Sequence, residues 1–232
     1  YIVPRTDADV LVGASEIDWR AFRIVPSRYP PVGAWERLAP PGDFEALAEL
    51  AGLTNPRLRE ELGVLGTVPR ERWVSGPGTT SIMAAFTHLN PEGSRFSDGT
   101  YGVFYAAREV ETAIRETAYH RERFLARTEE PPQRVQMRCY VTSIQRCFDD
   151  IRGGYPALHD PNSYAVSQRF ARDRRSAKSD GVVYDSVRRS GGQCVAAFWP
   201  DCVGACTQRT HYDYLWDGAT IAQVIELKAV DF

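Results

Sequence analysis

The sequence predicts an α+β fold, a mixed central sheet with flanking helices. Two observations carry this. Apolar runs of strand length alternate along the chain with stretches of helical period. Short hairpin connections lie among them, which a doubly wound parallel sheet does not use. Composition agrees: 43% hydrophobic, 11% aromatic and 25% charged residues in a 232-residue chain suffice for a buried core. One domain spanning 1–232 is expected, with a helical insertion at about 37–90.

The opening reads as irregular up to Asp18. Trp19, Phe22, Ile24 and Val25 then make a strand over 18–25, ended by Pro26. Pro30-Pro31 and Pro40-Pro41 mark loops. Asp43 caps a helix over 44–51, and Asn55-Pro56 supply the N-cap and first turn of another, with Gly63 beyond its end. Ile82, Met83, Ala85, Phe86 and Leu89 give a third helix over 79–89. A short strand is expected over 102–107. A long helix follows over 108–128, whose Val110, Ala113, Ile114, Thr117, Ala118, Phe124 and Leu125 keep a 3.6-residue period. Glu116 falls at the border of that stripe, three residues after Ala113. Residues 135–141 alternate as a strand, and Ser163 is placed to cap a helix over 164–175. Residues 181–184 and 194–199 read as core strands. The runs 209–216 and 220–229 flank Asp217-Gly218, a hairpin signal.

Charge and composition bound the function. With 28 basic and 30 acidic residues the net charge is −2, unlike a protein that coats nucleic acid. Only Lys178 and Lys228 are lysines, the other basic residues being arginines, the side chain suited to bidentate recognition of phosphate and carboxylate. No apolar run reaches the ~18 residues of a membrane-spanning helix, and residues 1–12 show no intact secretory signal, so a membrane partner is not expected. The cysteines, Cys139, Cys147, Cys194, Cys202 and Cys206, are odd in number, which favours a reducing cytoplasm. Cys202, Cys206 and His211 lack a second pair at metal-ligand spacing, so buried thiols are expected and no metal. His88, His120, His159 and His211 stand singly. No P-loop, dinucleotide-binding glycine fingerprint, nucleophile elbow or HExxH is present.

Three segments remain. They are Phe22-Arg23-Ile24-Val25-Pro26-Ser27-Arg28-Tyr29; Gly93-Ser94-Arg95-Phe96-Ser97-Asp98 running through Val103–Ala107 to Ala113–Thr117; and Gly181–Arg188 with Gly191-Gly192 and the strand after it. In this order they resemble the RES-domain family, the toxins of Xre–RES toxin–antitoxin pairs. That family is named for an arginine, a glutamate and a serine, and the matching positions here are Arg23, Glu116 and Ser186. Where the family usually carries a Gly-Arg-Trp-Asn run, this chain has Ser94-Arg95-Phe96-Ser97.

The resemblance implies a fold like that of mono-ADP-ribosyltransferases and NAD as substrate. It implies a toxin that breaks the nicotinamide–ribose bond and passes ADP-ribose to phosphate, water or a protein side chain; the additional block at about 37–90 favours a protein acceptor. Breaking that bond develops positive charge on the ribose, which a carboxylate stabilises; Glu116 is the candidate. Arg23 is the candidate pyrophosphate anchor, with Arg28 and Arg95 in reserve. Tyr105, with Tyr29 behind it, offers an aromatic face for nicotinamide. Ser186 is placed to hydrogen-bond the ribose or the carboxamide. An Xre-like antitoxin is the implied partner, and that antitoxin rather than this chain would contact DNA. The competing reading is a non-catalytic module that binds nucleic acid or a partner: residues 165–189 carry seven basic residues (Arg169, Arg172, Arg174, Arg175, Lys178, Arg188 and Arg189) against three acidic ones.

Overall fold

A computed structural model describes residues 12–28, 64–228 and 230. The seven strands among the described residues are β1 (Gly13–Pro26), β2 (Phe104–Ala107), β3 (Gln133–Asp150), β4 (Gly181–Asp185), β5 (Gln193–Ala197), β6 (Thr207–Trp216) and β7 (Ile221–Leu227). The helices among the described residues are α1 (Thr80–Thr87), α2 (Val110–Arg127) and α3 (Ala165–Ser176).

The strands form one sheet in the order β1-β2-β5-β4-β3-β6-β7. β1 also pairs antiparallel with β3 along its whole length, from Gly13↔Asp150 to Pro26↔Met137. Strands β1, β2, β5, β4 and β3 therefore close on themselves, and the β6–β7 hairpin extends the sheet from the first half of β3. The β3–β4 pair is parallel and the other pairs are antiparallel, so the sheet is mixed, as expected. β4 and β5 are buried on both faces, which explains their unbroken apolar runs. Phe96, Phe104, Tyr140, Ile144, Phe148, Phe198, Val182 and Val195 lie in the core.

Two strands are longer than expected. β1 begins at Gly13 rather than Asp18, and β3 runs on from Val141 to Asp150. The added halves pair with each other: Ser15 faces Phe148 and Ile17 faces Arg146. Residues such as Gly-Ala-Ser-Glu have weak strand preference alone, so their strand state comes from this long-range pairing. Asp150 closes the far end. It accepts from Ser15 Oγ at 2.7 Å, from Arg152 Nε at 2.9 Å and from the Arg152 backbone N–H at 3.0 Å.

α3 starts one residue later than expected, with Tyr164 rather than Ser163 at its cap. Ser163 Oγ receives only a long 3.5 Å contact from the Ala165 N–H, while Asp160 Oδ1 accepts from the N–H groups of Asn162 and Ser163. The hairpin turn falls where expected: Asp217 N–H donates to Thr220 O at 3.1 Å, and Gly218 takes the left-handed φ of 102°. The helices expected over 44–51 and after Asn55-Pro56 lie outside the described residues.

α2 positions the site. It packs against β1, β2 and β7, burying Thr112, Ala113 and Leu125. Thr117 Oγ1 shares a 2.7 Å hydrogen bond with Tyr214 Oη on β6, and Glu122 accepts from the Ile221 N–H at 2.8 Å. These contacts fix the rotation of α2 and so the direction in which Glu116 projects.

Candidate functional site

Glu116 stands half-buried on the second turn of α2. Ser186 is the first residue after β4 and is buried. Ser186 Oγ donates to Glu116 Oε1 at 2.6 Å. The same oxygen accepts from the backbone N–H groups of Arg188 and Arg189, each at 3.1 Å. With its N–H donating to Gly192 O at 2.8 Å, Ser186 is held from four directions. Residues 70 apart in sequence thus form one polar pair, and the hydroxyl hydrogen is aimed at the carboxylate.

The loop from Ser186 to Gly192 reaches α2 because of its glycines. Gly191 takes φ of 74°, a conformation that costs a side-chain-bearing residue free energy. At Gly192 a Cβ would stand 2.6 Å from Thr112 Oγ1 and 2.8 Å from Thr112 Cγ2, so only glycine lets the loop lie this close to the helix. Arg189 fastens the approach by donating to Thr112 Oγ1 at 3.1 Å.

Tyr105 is half-buried on β2. Its hydroxyl shares a 2.7 Å hydrogen bond with Ser94 Oγ and accepts from the Phe96 N–H at 2.9 Å. Its ring stacks on Phe96 at 6.5 Å between centroids, and Phe96 meets Tyr184 edge-on at 4.9 Å. Burial pushes the Tyr105 phenol above its ordinary pKa, so it stays protonated. In register, Tyr105 faces Ala196 and Tyr184 faces Cys194, so these side chains share one face of the sheet.

Arg23 meets this cluster at the backbone of β2. Its Nη1 donates to the backbone carbonyl of Tyr105 at 3.0 Å, and its guanidinium lies 4.7 Å from the Phe104 ring centroid. Phe104 and Tyr105 are consecutive on β2 and project to opposite faces, so the guanidinium lies on the Phe104 side. Arg95 is 7% exposed. Its Nη1 donates to the carbonyls of Leu158 and Asp160, both at 3.0 Å, and its guanidinium stacks on Tyr164 at 4.7 Å. It builds the wall formed by residues 158–164. Arg28 is exposed in the turn after β1, and Tyr29 lies outside the described residues.

The structure therefore joins Glu116 to Ser186, places Tyr105 on a nearby strand with Arg23 held to its backbone, and buries Arg95 in the adjoining wall. Of the residues singled out in the sequence, Glu116 and Ser186 meet directly. Three further residues, given no role in the sequence reading, lie beside the pair. Tyr119 and His120 follow Glu116 by three and four residues, a spacing that puts them on the same side of α2. Arg188 crosses to them from the Ser186 loop: its guanidinium carbon is 3.4 Å from the Tyr119 ring centroid and its Nη2 donates to Pro161 O at 2.6 Å. Although the His120 ring reaches solvent, burial and then the charges of Arg188, Arg123, Arg95 and Arg121 push its imidazole down to about 4, leaving it neutral at pH 7. His159 is structural: its Nε2 accepts from the Asp185 N–H at 3.3 Å, and its Nδ1 lies 3.1 Å from Tyr155 O.

The basic run over 165–189 is largely engaged within the fold. Arg172 pairs with Asp98, and Arg174 with Asp149. Arg175 stacks on Tyr101 at 4.6 Å and on Trp199 at 4.2 Å. With Arg188 and Arg189 held as above, Arg169 and Lys178 are the remaining exposed cations of this stretch. Cys139, Cys194, Cys202 and Cys206 are buried free thiols and Cys147 is exposed. Among the described residues no group of three side chains could ligate a metal, and no helix is long and apolar enough to cross a membrane. Two open grooves, of about 380 Å³ around Arg20 and Arg209 and about 440 Å³ around Arg72 and Lys178, share no lining residue with Glu116, Ser186, Tyr105 or Arg188.

The chain is 34% identical over 208 residues to the uncharacterised protein y4oC of Sinorhizobium fredii, a match covering 87% of this chain and 84% of that protein. Among solved structures it is similar to a chain of the M. tuberculosis MbcT–MbcA toxin–antitoxin complex, at a TM-score of 0.43 and 10% identity, covering 87% of this chain and 86% of that one. The RES domain model matches residues 68–217, a span that holds both Glu116 and Ser186, with Arg23 ahead of it. By that match the chain belongs to the RES domain family.

Proposed function

We propose that this chain is the toxin of a toxin–antitoxin pair, and that it cleaves NAD at the nicotinamide–ribose bond and transfers ADP-ribose to a protein acceptor. The observation that carries this reading is the 2.6 Å hydrogen bond from Ser186 to Glu116, which orients a half-buried carboxylate in a member of this family.

The chemistry needs a fixed anion. As the bond between ribose C1 and the nicotinamide nitrogen breaks, its electron pair leaves with nicotinamide and positive charge gathers on the ribose. Glu116 faces that charge. Ser186 holds one carboxylate oxygen, and the other is left to receive a ribose hydroxyl. The acceptor nucleophile then bonds to C1 and gives up its proton to solvent water. Because Ser186 is already anchored by two backbone N–H groups, the carboxylate needs no reorganisation when the charge develops. Tyr105 supplies the aromatic surface for the nicotinamide ring. Arg23 acts through the Tyr105 carbonyl, holding β2 in place. An Xre-like antitoxin is the partner that restrains this activity, and the cytoplasm, where NAD is abundant, is its place of action.

The experiment incubates purified chain, free of antitoxin, with NAD carrying labelled ADP-ribose, with and without phosphate and cell lysate. Nicotinamide release with a labelled protein band is expected. Release with free ADP-ribose or its 1″-phosphate and no band replaces the protein acceptor by water or phosphate. No release under any condition overturns the enzyme reading and favours a binding module.

A further inference from the structure

We propose that Arg188 grips the pyrophosphate of the dinucleotide bound at the Glu116–Ser186 pair, an assignment that rests on reading the chain as an NAD-consuming enzyme. Arg188 is tied to the pair through its own backbone: its N–H donates to Ser186 Oγ at 3.1 Å, and that oxygen donates to Glu116 at 2.6 Å. Its side chain returns across α2 and lies 3.4 Å from the centre of Tyr119, three residues after Glu116. Stacking on a ring fixes the plane of a guanidinium and leaves its edge to face a ligand. One of its five N–H donors goes to the Pro161 carbonyl. The rest of the fork suits a pair of phosphate oxygens.

Charge points the same way. Arg95, Arg121 and Arg123 lie close enough to His120, with Arg188, to disfavour its protonation, so a positive field surrounds an uncharged imidazole beside Glu116. A diphosphate fits such a place, and the carboxylate of Glu116 lies at the end where the ribose cation forms. Arg23 lies on the Phe104 side of β2, and Arg95 is buried with two carbonyls on its Nη1. Neither projects from the Ser186 loop as Arg188 does.

ADP is the probe, since it carries the pyrophosphate and has no nicotinamide bond to break. Titration calorimetry on the full chain should show ADP binding that Arg188→Ala weakens by about tenfold to a hundredfold, the range for one charged hydrogen-bonded contact. Arg188→Lys should recover part of the loss, and Arg127→Ala, an exposed arginine paired with Glu92 at the end of α2, should leave binding unchanged. Where Arg188→Ala lowers the melting temperature, Arg188→Gln serves instead, because it keeps a donor for Pro161 O. Unchanged ADP affinity in a folded Arg188 variant overturns the assignment, as does absence of ADP binding in the wild type. Nicotinamide release by the wild type is measured separately. ADP binding that depends on Arg188 without any release keeps the pyrophosphate site and removes the reaction.

Discussion

At the scale of single residues, Glu116 and Ser186 have separable contributions. Glu116→Gln keeps the shape and a hydrogen-bond acceptor for Ser186 but removes the charge. Nicotinamide release should fall by about 10²–10³ or more with the melting temperature nearly unchanged, the usual effect of losing a preorganised electrostatic partner. Full activity in the folded variant would return Glu116 to a purely structural role. Ser186→Ala has the opposite balance. It strips a partner from Glu116 and from two loop N–H groups in a buried position, so a stability loss of about 1–3 kcal/mol is expected in thermal or denaturant unfolding, together with slower turnover. A serine that only ended a strand would lower stability and spare the rate per folded molecule.

At the scale of elements, the long β1–β3 pair is closed by Asp150. Hydrogen bonds from Arg152 come first and that from Ser15 follows, and together they hold the Asp150 carboxyl down to about 2, below its ordinary 3.8. The folded state therefore holds this proton less tightly than the unfolded chain. The resulting stabilisation is complete above about pH 4 and is lost as pH falls through 2, with a size of about 2 kcal/mol at most. Asp150→Asn should lower stability at pH 7 and flatten the pH dependence of unfolding between pH 4 and 2. An unchanged acid limb would show that Asp150 does not close the pair. The same pair shows why sequence reading stopped short. Asp18–Val25 and Val135–Val141 carry their own apolar patterns, whereas Gly13–Ile17 becomes a strand through its pairing with Arg146–Asp150.

At the scale of the molecule, α1 belongs to the fold rather than to a loose appendage. Its backbone passes so close to Gly102 that an added Cβ would stand 2.3 Å from Phe86 Cα and 2.4 Å from Ala85 O. Both are backbone atoms and cannot swing aside. Gly102→Ala should therefore cost about 3 kcal/mol, at the upper end for overpacking, and a calorimetric melt should show it as a drop of several degrees. An unchanged melt would mean that α1 docks with slack. The candidate site depends on such docking throughout, since α2 is held by the Tyr214 hydroxyl and the Ile221 N–H on one side and meets the Ser186 loop on the other.

The sequence by itself determined the α+β class, the order of most elements and two of the partners at the site. These follow from local patterns: the period of α2, the apolar runs of β4 and β5, the Asp217-Gly218 turn, and the spacing of three short segments that resemble one family. Only the tertiary structure decided that β1 and β3 close the sheet, that Ser186 and not a neighbour on α2 meets Glu116, and that Arg188 joins them while Arg23 is held at the Tyr105 backbone. The reason is physical. Periodicity reports which face of an element is buried, but a hydrogen bond between residues 70 apart exists only once the loops, with Gly191 and Gly192 in this case, let two elements approach.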